Sequence, residues 1–385
     1  MALETILFNI AVLLVSAKLL GEVFERFGFS SLVGEVIAGI IVGQSLLGLV
    51  QPSETMDVIA SIGILFLMFL IGLHAKFEEA IENNVYPAAV IAILGGSLSF
   101  ALAFIVGIGL GYSFIVAITV GAALTSTGIG VTIRTLSELG QFYGKISKSL
   151  IAADVADDIF SVIVMTLFLG FVQYGKINIL ESWQIFLVII GFFIIIIKFG
   201  GLIAERIMNM TVKMKDQESM IAIPVVLLFL ISLLSQQVNI AGVTGAFLAG
   251  IILAKTPYAE PTIIPKAKTL GYGFLIPLFF AYTGATVKIA DIGLGWILLI
   301  ALLIAAVVGK YVGCYFGAKI SGYDEGEAKK IGWGMIPRTE YTLVIGQIAL
   351  VAGAITTGIH SVLVLLVIIL TIITPIILKW AYANN

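Results

Sequence analysis

Hydrophobic residues run in blocks of about twenty along this chain, and polar residues fall mainly in the short stretches between them. A membrane-crossing helix needs roughly 20 apolar residues. On that measure the pattern predicts about 13 spans, at roughly 5–25, 30–49, 56–75, 86–111, 113–137, 147–174, 182–207, 218–236, 239–255, 264–287, 292–320, 327–354 and 359–382. The first run, Ile6 to Leu20, leads straight into further spans and lacks a small-residue cleavage site, so it reads as a span rather than a removed leader. The expected fold class is an all-α polytopic membrane protein. Composition agrees: of 385 residues 60% are hydrophobic and 11% charged, against about 25% charged in soluble domains.

Charge in the connections sets an orientation. Arg26, Lys76, Arg134, Lys145, Lys148, Arg206, Lys213, Lys215, Lys255, Lys266, Lys268, Lys319, Lys329, Lys330 and Lys379 all fall on one side of the predicted layer. The other side holds only Lys176 and Lys288. By the positive-inside rule the N-terminus is expected outside and the C-terminus in the cytoplasm of a cell-membrane protein. No basic cluster points to nucleic acid. The single Cys314 excludes an internal disulfide, and His74 and His360 are too few for a histidine-built metal centre.

Two spans are interrupted. The fifth carries Leu124-Thr125-Ser126-Thr127-Gly128-Ile129-Gly130, a polar, glycine-rich patch. The twelfth carries Met335-Ile336-Pro337-Arg338-Thr339-Glu340-Tyr341, where Pro337 removes a backbone donor and two charges follow. An offset of seven spans places them in oppositely oriented halves, the arrangement of inverted repeats in secondary transporters, whose broken helices mark the substrate site. For the fifth span alone, a glycine kink with hydroxyls bonding back to carbonyls is the plain alternative.

The sixth span contains Asp154, Asp157 and Asp158 within Ile151–Ile163. Each ionised carboxylate at the centre of a spanning helix costs roughly 2.5–3.5 kcal/mol, so such residues mark ion or proton pathways and require a cationic partner. Asp158 lies ten residues after Lys148, and Lys310 nine before Lys319. At about 1.5 Å per residue both sit near mid-depth, which makes Lys310 the natural counter-ion and too deep to snorkel. Asp157, Asp158 and the hydroxyls or freed carbonyls of Thr125, Ser126 and Thr127 offer the oxygen ligands that a hard cation such as Na+ takes. Neighbouring carboxylates titrate as a unit. Protons and a cation then compete for one set of oxygens, which is enough for exchange without covalent chemistry.

The chain resembles the monovalent cation:proton antiporter-2 branch of Na+/H+ antiporters, with the NhaA-type fold. The resemblance rests on Leu32-Val-Gly-Glu-Val-Ile-Ala-Gly, Phe66-Leu-Met-Phe-Leu-Ile-Gly-Leu, Ala123-Leu-Thr-Ser-Thr, Asp157-Asp158, Pro277-Leu-Phe-Phe, Gly309-Lys310 and Gly334-Met-Ile-Pro-Arg-Thr-Glu340, in the family's order. It implies that Asp158 binds the ion and carries the proton, and that Asp157 pairs with Lys310. It also implies a homodimer with dimerisation segments 1–80 and 216–290, an ion-transporting core of 81–176 and 291–385, and a linker at 177–215. The core would slide past the dimer domain as an elevator, and the paired aspartates would accompany electrogenic exchange. Departures from the pattern are His74 after the Gly-Leu of span three, Gly128 after Thr127, Gln44 for a proline, and Thr339-Glu340-Tyr341 for a Gly-Glu-aliphatic stretch.

The expected function is therefore Na+(Li+)/H+ antiport, with K+/H+ antiport by the same machine as the alternative and a cation channel as the reading from another class. An enzyme is not expected, since HExxH and a nucleophile elbow are lacking; no cofactor is implied beyond transported Na+ and H+. Asp154, one turn before Asp158, either lines a cytoplasmic funnel or pairs with a basic residue. Arg338 and Glu340 either touch the ion or satisfy the broken backbone and each other. His74 is a pH-sensing candidate or a solvated span end, Cys314 a packing residue, and Gly242, Gly245 and Gly250 points of close helix contact.

Overall fold

The computed structural model describes residues 2–74, 77–128, 131–132, 135–136, 139, 145–174, 191, 196–216, 218–237, 242–293, 295–338 and 340–383, without the side chains of 2, 77–85, 169–174, 197–198 and 383. Lys76, Gly130, Arg134, Lys176, Thr339, the turn at 238–241 and most of the first half of span seven lie outside the described residues.

The described elements are helical. In chain order they are α1 (Ala2–Arg26), α2 (Ser31–Val42), α3 (Glu54–His74), α4 (Phe77–Gly109), α5 (Phe114–Ala123), α6 (Lys145–Tyr174), α7 (Gly201–Thr211), α8 (Ser219–Gln237), α9 (Gly242–Ala254), α10 (Ile264–Leu270), α11 (Ile276–Ala285), α12 (Gly295–Ile320), α13 (Glu325–Gly334), α14 (Glu340–Val351) and α15 (Thr357–Ala383). Six helices among the described residues are long and apolar enough to cross a membrane: Leu3–Arg26, Glu54–His74, Tyr86–Gly109, Ser219–Gln237, Gly295–Ile320 and Thr357–Tyr382. Shorter apolar helices accompany them, α2, α5, α9 and α14. Two of these end or begin at the interruptions read from the sequence: α5 stops at Ala123, and α14 starts at Glu340 after an irregular stretch that follows α13.

The chain divides into two compact units. The larger comprises 1–52, 77–168 and 280–385. Its tightest seam joins α4 to α12, where Gly309, Gly313 and Gly317 recur every fourth residue and so form one stripe on α12. A Cβ on Gly309 would lie 2.7 Å from the Cα of Ser99, one on Gly313 2.5 Å from the carbonyl oxygen of Leu94, and one on Gly317 2.7 Å from the Cα of Ile91. The obstacles are backbone, so the helices approach this closely only because the stripe has no side chains. Gly95 answers from α4, where a Cβ would strike the Cys314 sulfur. Gly313→Ala is expected to cost about 1–3 kcal/mol through overpacking, read as a lower thermal midpoint of the detergent-solubilised protein. Gly109→Ala, where a Cβ meets nothing within 4 Å, serves as the unaffected control.

Below this seam a core of Ile91, Leu136, Leu150, Ala153, Cys314, Ala328, Ile331 and Met335 is buried. Cys314 is a free packing residue, as read from the sequence. At the start of α6, Lys145 Nζ donates to both carboxylate oxygens of Glu327 at 2.6 and 2.8 Å, and Ser149 Oγ and the Tyr323 hydroxyl share a hydrogen bond of 2.8 Å. Asp324 and Glu327 form a reciprocal capping box at the start of α13. Together these contacts fix the end of α6 nearest Lys145 against the α12–α13 connection. Lys18, half exposed on α1, places its Nζ 3.9 Å from Glu35 of α2.

The smaller unit comprises 53–76 and 169–279. Here α3 packs on α9 by mutual glycine contact: a Cβ on Gly72 would strike the Phe247 carbonyl, and one on Gly250 the Phe69 carbonyl. Gly245 meets the backbone of α8 at Ile231 and Ser232. The close-contact reading of Gly245 and Gly250 is thus realised in backbone-to-backbone packing. His74 Nδ1 is 2.7 Å from the carbonyl of Leu70, within its own helix.

Candidate ion-exchange site

The site is built where α5 and α13 stop short. A helix end leaves carbonyls and amides unpaired, and inside a bilayer they must find partners within the protein. Here the two interruptions satisfy one another. The Gly128 amide donates to the Pro337 carbonyl at 3.0 Å. The Thr127 hydroxyl donates to the Met335 carbonyl at 3.2 Å and the Thr132 hydroxyl to the Gly334 carbonyl at 2.7 Å. From α14, the Thr342 hydroxyl donates to the last α5 carbonyl, Ala123, at 2.7 Å. Three threonine hydroxyls thus supply donors to carbonyls of the two interruptions.

Two fully buried cations complete the arrangement. Lys310, held on α12 by the glycine seam, donates from Nζ to Asp157 Oδ1 at 2.6 Å and to the Thr125 carbonyl at 2.7 Å. Both Lys310 and Asp157 side chains are 0% exposed. The second Asp157 oxygen accepts the Thr127 amide at 2.7 Å. Asp157 therefore joins α6, α12 and the broken segment after α5 at one carboxylate. Arg338, also fully buried, donates from one terminal nitrogen to the Ser126 carbonyl and from the other to Ser99 Oγ at 3.0 Å and the Ala306 carbonyl at 3.3 Å. Cationic groups thus face the carbonyl-bearing end of α5, where a helix carries its partial negative charge.

These contacts sort the residues read from the sequence. Asp157 and Lys310 neutralise each other. The Thr125 and Ser126 carbonyls, expected as ion ligands, are engaged by Lys310 and Arg338. Arg338 satisfies broken backbone, but it does not pair with Glu340: its guanidinium turns toward α4 and α12, while Glu340 acts electrostatically on Asp158. Asp158 stands apart. It is half-buried and has no hydrogen-bonding partner among the described residues. The charged groups that act on it are Asp154, Asp157, Glu340 and Lys310. Ser126 Oγ is buried and without a partner among the described residues. Sequence reasoning missed Ser99, whose only signal was a polar residue inside an apolar span. It also missed the Gly309-x3-Gly313-x3-Gly317 repeat that places Lys310.

The chemistry available is binding and release: a carboxylate at Asp158 with no hydrogen bond among the described residues, beside the neutralised Asp157–Lys310 pair. Among the described residues no cluster of three His, Cys, Asp or Glu side chains forms a cage for a metal. The model of the family described as sodium/hydrogen exchanger, transmembrane, matches residues 11–383.

The chain belongs to that family.

Members are multi-pass membrane transporters rather than enzymes, and the monovalent cation:proton antiporter reading of the sequence stands on this match. The chain is similar to the Na+/H+-K+ antiporter GerN of Bacillus cereus, 30% identical over 375 residues that cover 97% of this chain and 96% of GerN. It is similar to the Na+/H+ antiporter of Enterococcus hirae, 28% identical over 379 residues, covering 97% and 98%. Among solved structures it resembles the sodium proton antiporter MjNhaP1 of Methanocaldococcus jannaschii, with a TM-score of 0.71 at 16% identity over 99% of this chain and 97% of that one. That likeness is one of fold, and it names NhaP1 rather than NhaA as the structural relative.

Proposed function

We propose that this exchanger-family protein is an electrogenic Na+(Li+)/H+ antiporter in which Asp158 alternately holds the cation and the proton. The single observation that carries the reading is the division of labour between the adjacent aspartates: Asp157 is consumed by Lys310 and the Thr127 amide, whereas Asp158 makes no hydrogen bond to the described protein. A carboxylate so placed gains a partner only from an ion, a proton or water. Na+ and H+ cannot both occupy it, and that exclusion couples their movements.

The cycle runs by alternating access. The two interrupted helices belong to inverted repeats of a thirteen-span fold and cross at the site; the core of 81–176 and 291–385 moves as an elevator against a dimerisation domain of 1–80 and 216–290, linked by 177–215. These boundaries follow the proposed motion, whereas the two compact units group 1–52 with 77–168 and 280–385 by packing alone. The protein works as a homodimer in the cell membrane, N-terminus outside and C-terminus cytoplasmic, as the lysine and arginine asymmetry supports.

K+ is the second cation to test, because GerN is named for Na+/H+-K+ exchange. In proteoliposomes with a trapped pH dye, addition of NaCl is expected to drive saturable proton movement, and KCl to drive little. A response to KCl alone would replace Na+ by K+ in this reading. No response to Na+, Li+ or K+ at any pH from mildly acidic to mildly alkaline would overturn it.

A further inference from the structure

Asp154 precedes Asp158 by four residues on α6, so their side chains share a helix face at about 5–6 Å between Cβ atoms. Both are half-buried, as is Glu340 at the start of α14. Tyr341 is 2% exposed, and its hydroxyl is buried without a hydrogen-bond partner among the described residues. The charges that act on that hydroxyl are those of Asp158, Asp154, Glu340 and Asp157. A buried phenol acted on by carboxylates, yet bonded to none among the described residues, keeps an uncompensated desolvation cost unless a ligand or water completes it.

We infer that Asp154, Glu340 and Tyr341 form a second cation station beside Asp158 that loads Na+ with part of its hydration shell onto the exchange carboxylate. The inference rests on the antiport reading above and deepens it. The donor set is all oxygen, carboxylate and phenol, which suits a hard monovalent cation. Because no three acidic side chains among the described residues converge into a cage, the ion keeps water between itself and some of these groups. Such a station holds the ion weakly enough to pass it on. Asp154 supplies negative charge one turn from Asp158, raising the local concentration of the cation; Tyr341 presents a hydroxyl to the ion or its water. Neither residue takes part in the exchange itself, so their removal weakens loading rather than turnover.

The test is Na+-dependent proton flux of the full chain in proteoliposomes, together with 22Na+ binding to the purified protein. Asp154→Asn is expected to raise half-saturating Na+ about fivefold to tenfold while the rate at saturating Na+ stays within about twofold. Tyr341→Phe is expected to raise it about twofold to fivefold, and Asp154→Glu to restore wild-type behaviour. 22Na+ binding should weaken in parallel. Tyr341→Phe removes only an unpartnered hydroxyl and keeps the ring, so it carries the test even where Asp154→Asn fails to fold. Unchanged half-saturation in both variants, or a lost maximal rate at unchanged half-saturation, would overturn the station and leave the antiport reading intact. Absence of cation-driven flux in the wild type would overturn both.

Discussion

Lys310→Ala is expected to destabilise the protein by about 3–5 kcal/mol, the cost of leaving one member of a buried ion pair uncompensated. The geometry makes the effect large. Lys310 is the partner of both Asp157 and the Thr125 carbonyl, so one substitution strips a donor from a buried carboxylate and from a buried carbonyl at once. Asp157→Asn with Lys310→Met should recover most of the loss, because the pair is then replaced by neutral groups of similar size and the Thr127 amide keeps an acceptor. The measurement is thermal unfolding of wild type, Asp157→Asn, Lys310→Met and the double variant in one detergent, read as a double-mutant cycle, with Lys310→Ala alongside. Additive losses would show that the pair is not coupled.

Asp158→Asn is expected to abolish exchange while leaving the fold in place, the opposite outcome at the next residue. Asparagine keeps the shape but neither holds a proton at neutral pH nor offers a charged ligand. Since Asp158 contributes no hydrogen bond to the described structure, its stability should lie within about 0.5 kcal/mol of wild type, or above it through relief of repulsion from Asp154, Asp157 and Glu340. Flux in proteoliposomes should fall at least about 100-fold, the scale of removing an essential acid–base group. A variant that transports normally would remove Asp158 from the mechanism.

What was legible in the sequence was whatever violates the rules of an apolar span. Three aspartates in α6, one deep lysine in α12, and hydroxyls, glycines and Pro337 at two interruptions all carry a cost that packing does not explain. Depth counting then joined Lys310 to the aspartates across more than 150 residues, and the structure places the pair at 2.6 Å. The assignment of individual carbonyls was not legible. Which cation takes Thr125 and which takes Ser126 depends on how closely α4 and α12 approach, and that is decided by the glycine stripe of α12 against Gly95 and Ser99. For the same reason only half of the Arg338 reading holds: it satisfies broken backbone, but through partners on α4 and α12 far away in sequence and not together with Glu340. Tyr341 stood out only as a departure from the family's Gly-Glu-aliphatic stretch; that its hydroxyl is unpartnered among the described residues is visible only in the structure.

The account turns on one carboxylate shared by Na+ and H+, and proton release on Na+ binding tests it most directly. Na+ would be titrated into the detergent-solubilised protein by calorimetry in buffers of different ionisation enthalpy, for wild type and Asp158→Asn. The account predicts that wild type releases protons as Na+ binds, that half-saturating Na+ rises as pH falls, and that Asp158→Asn releases none. Na+ binding with no proton release, or release that persists in Asp158→Asn, would contradict it.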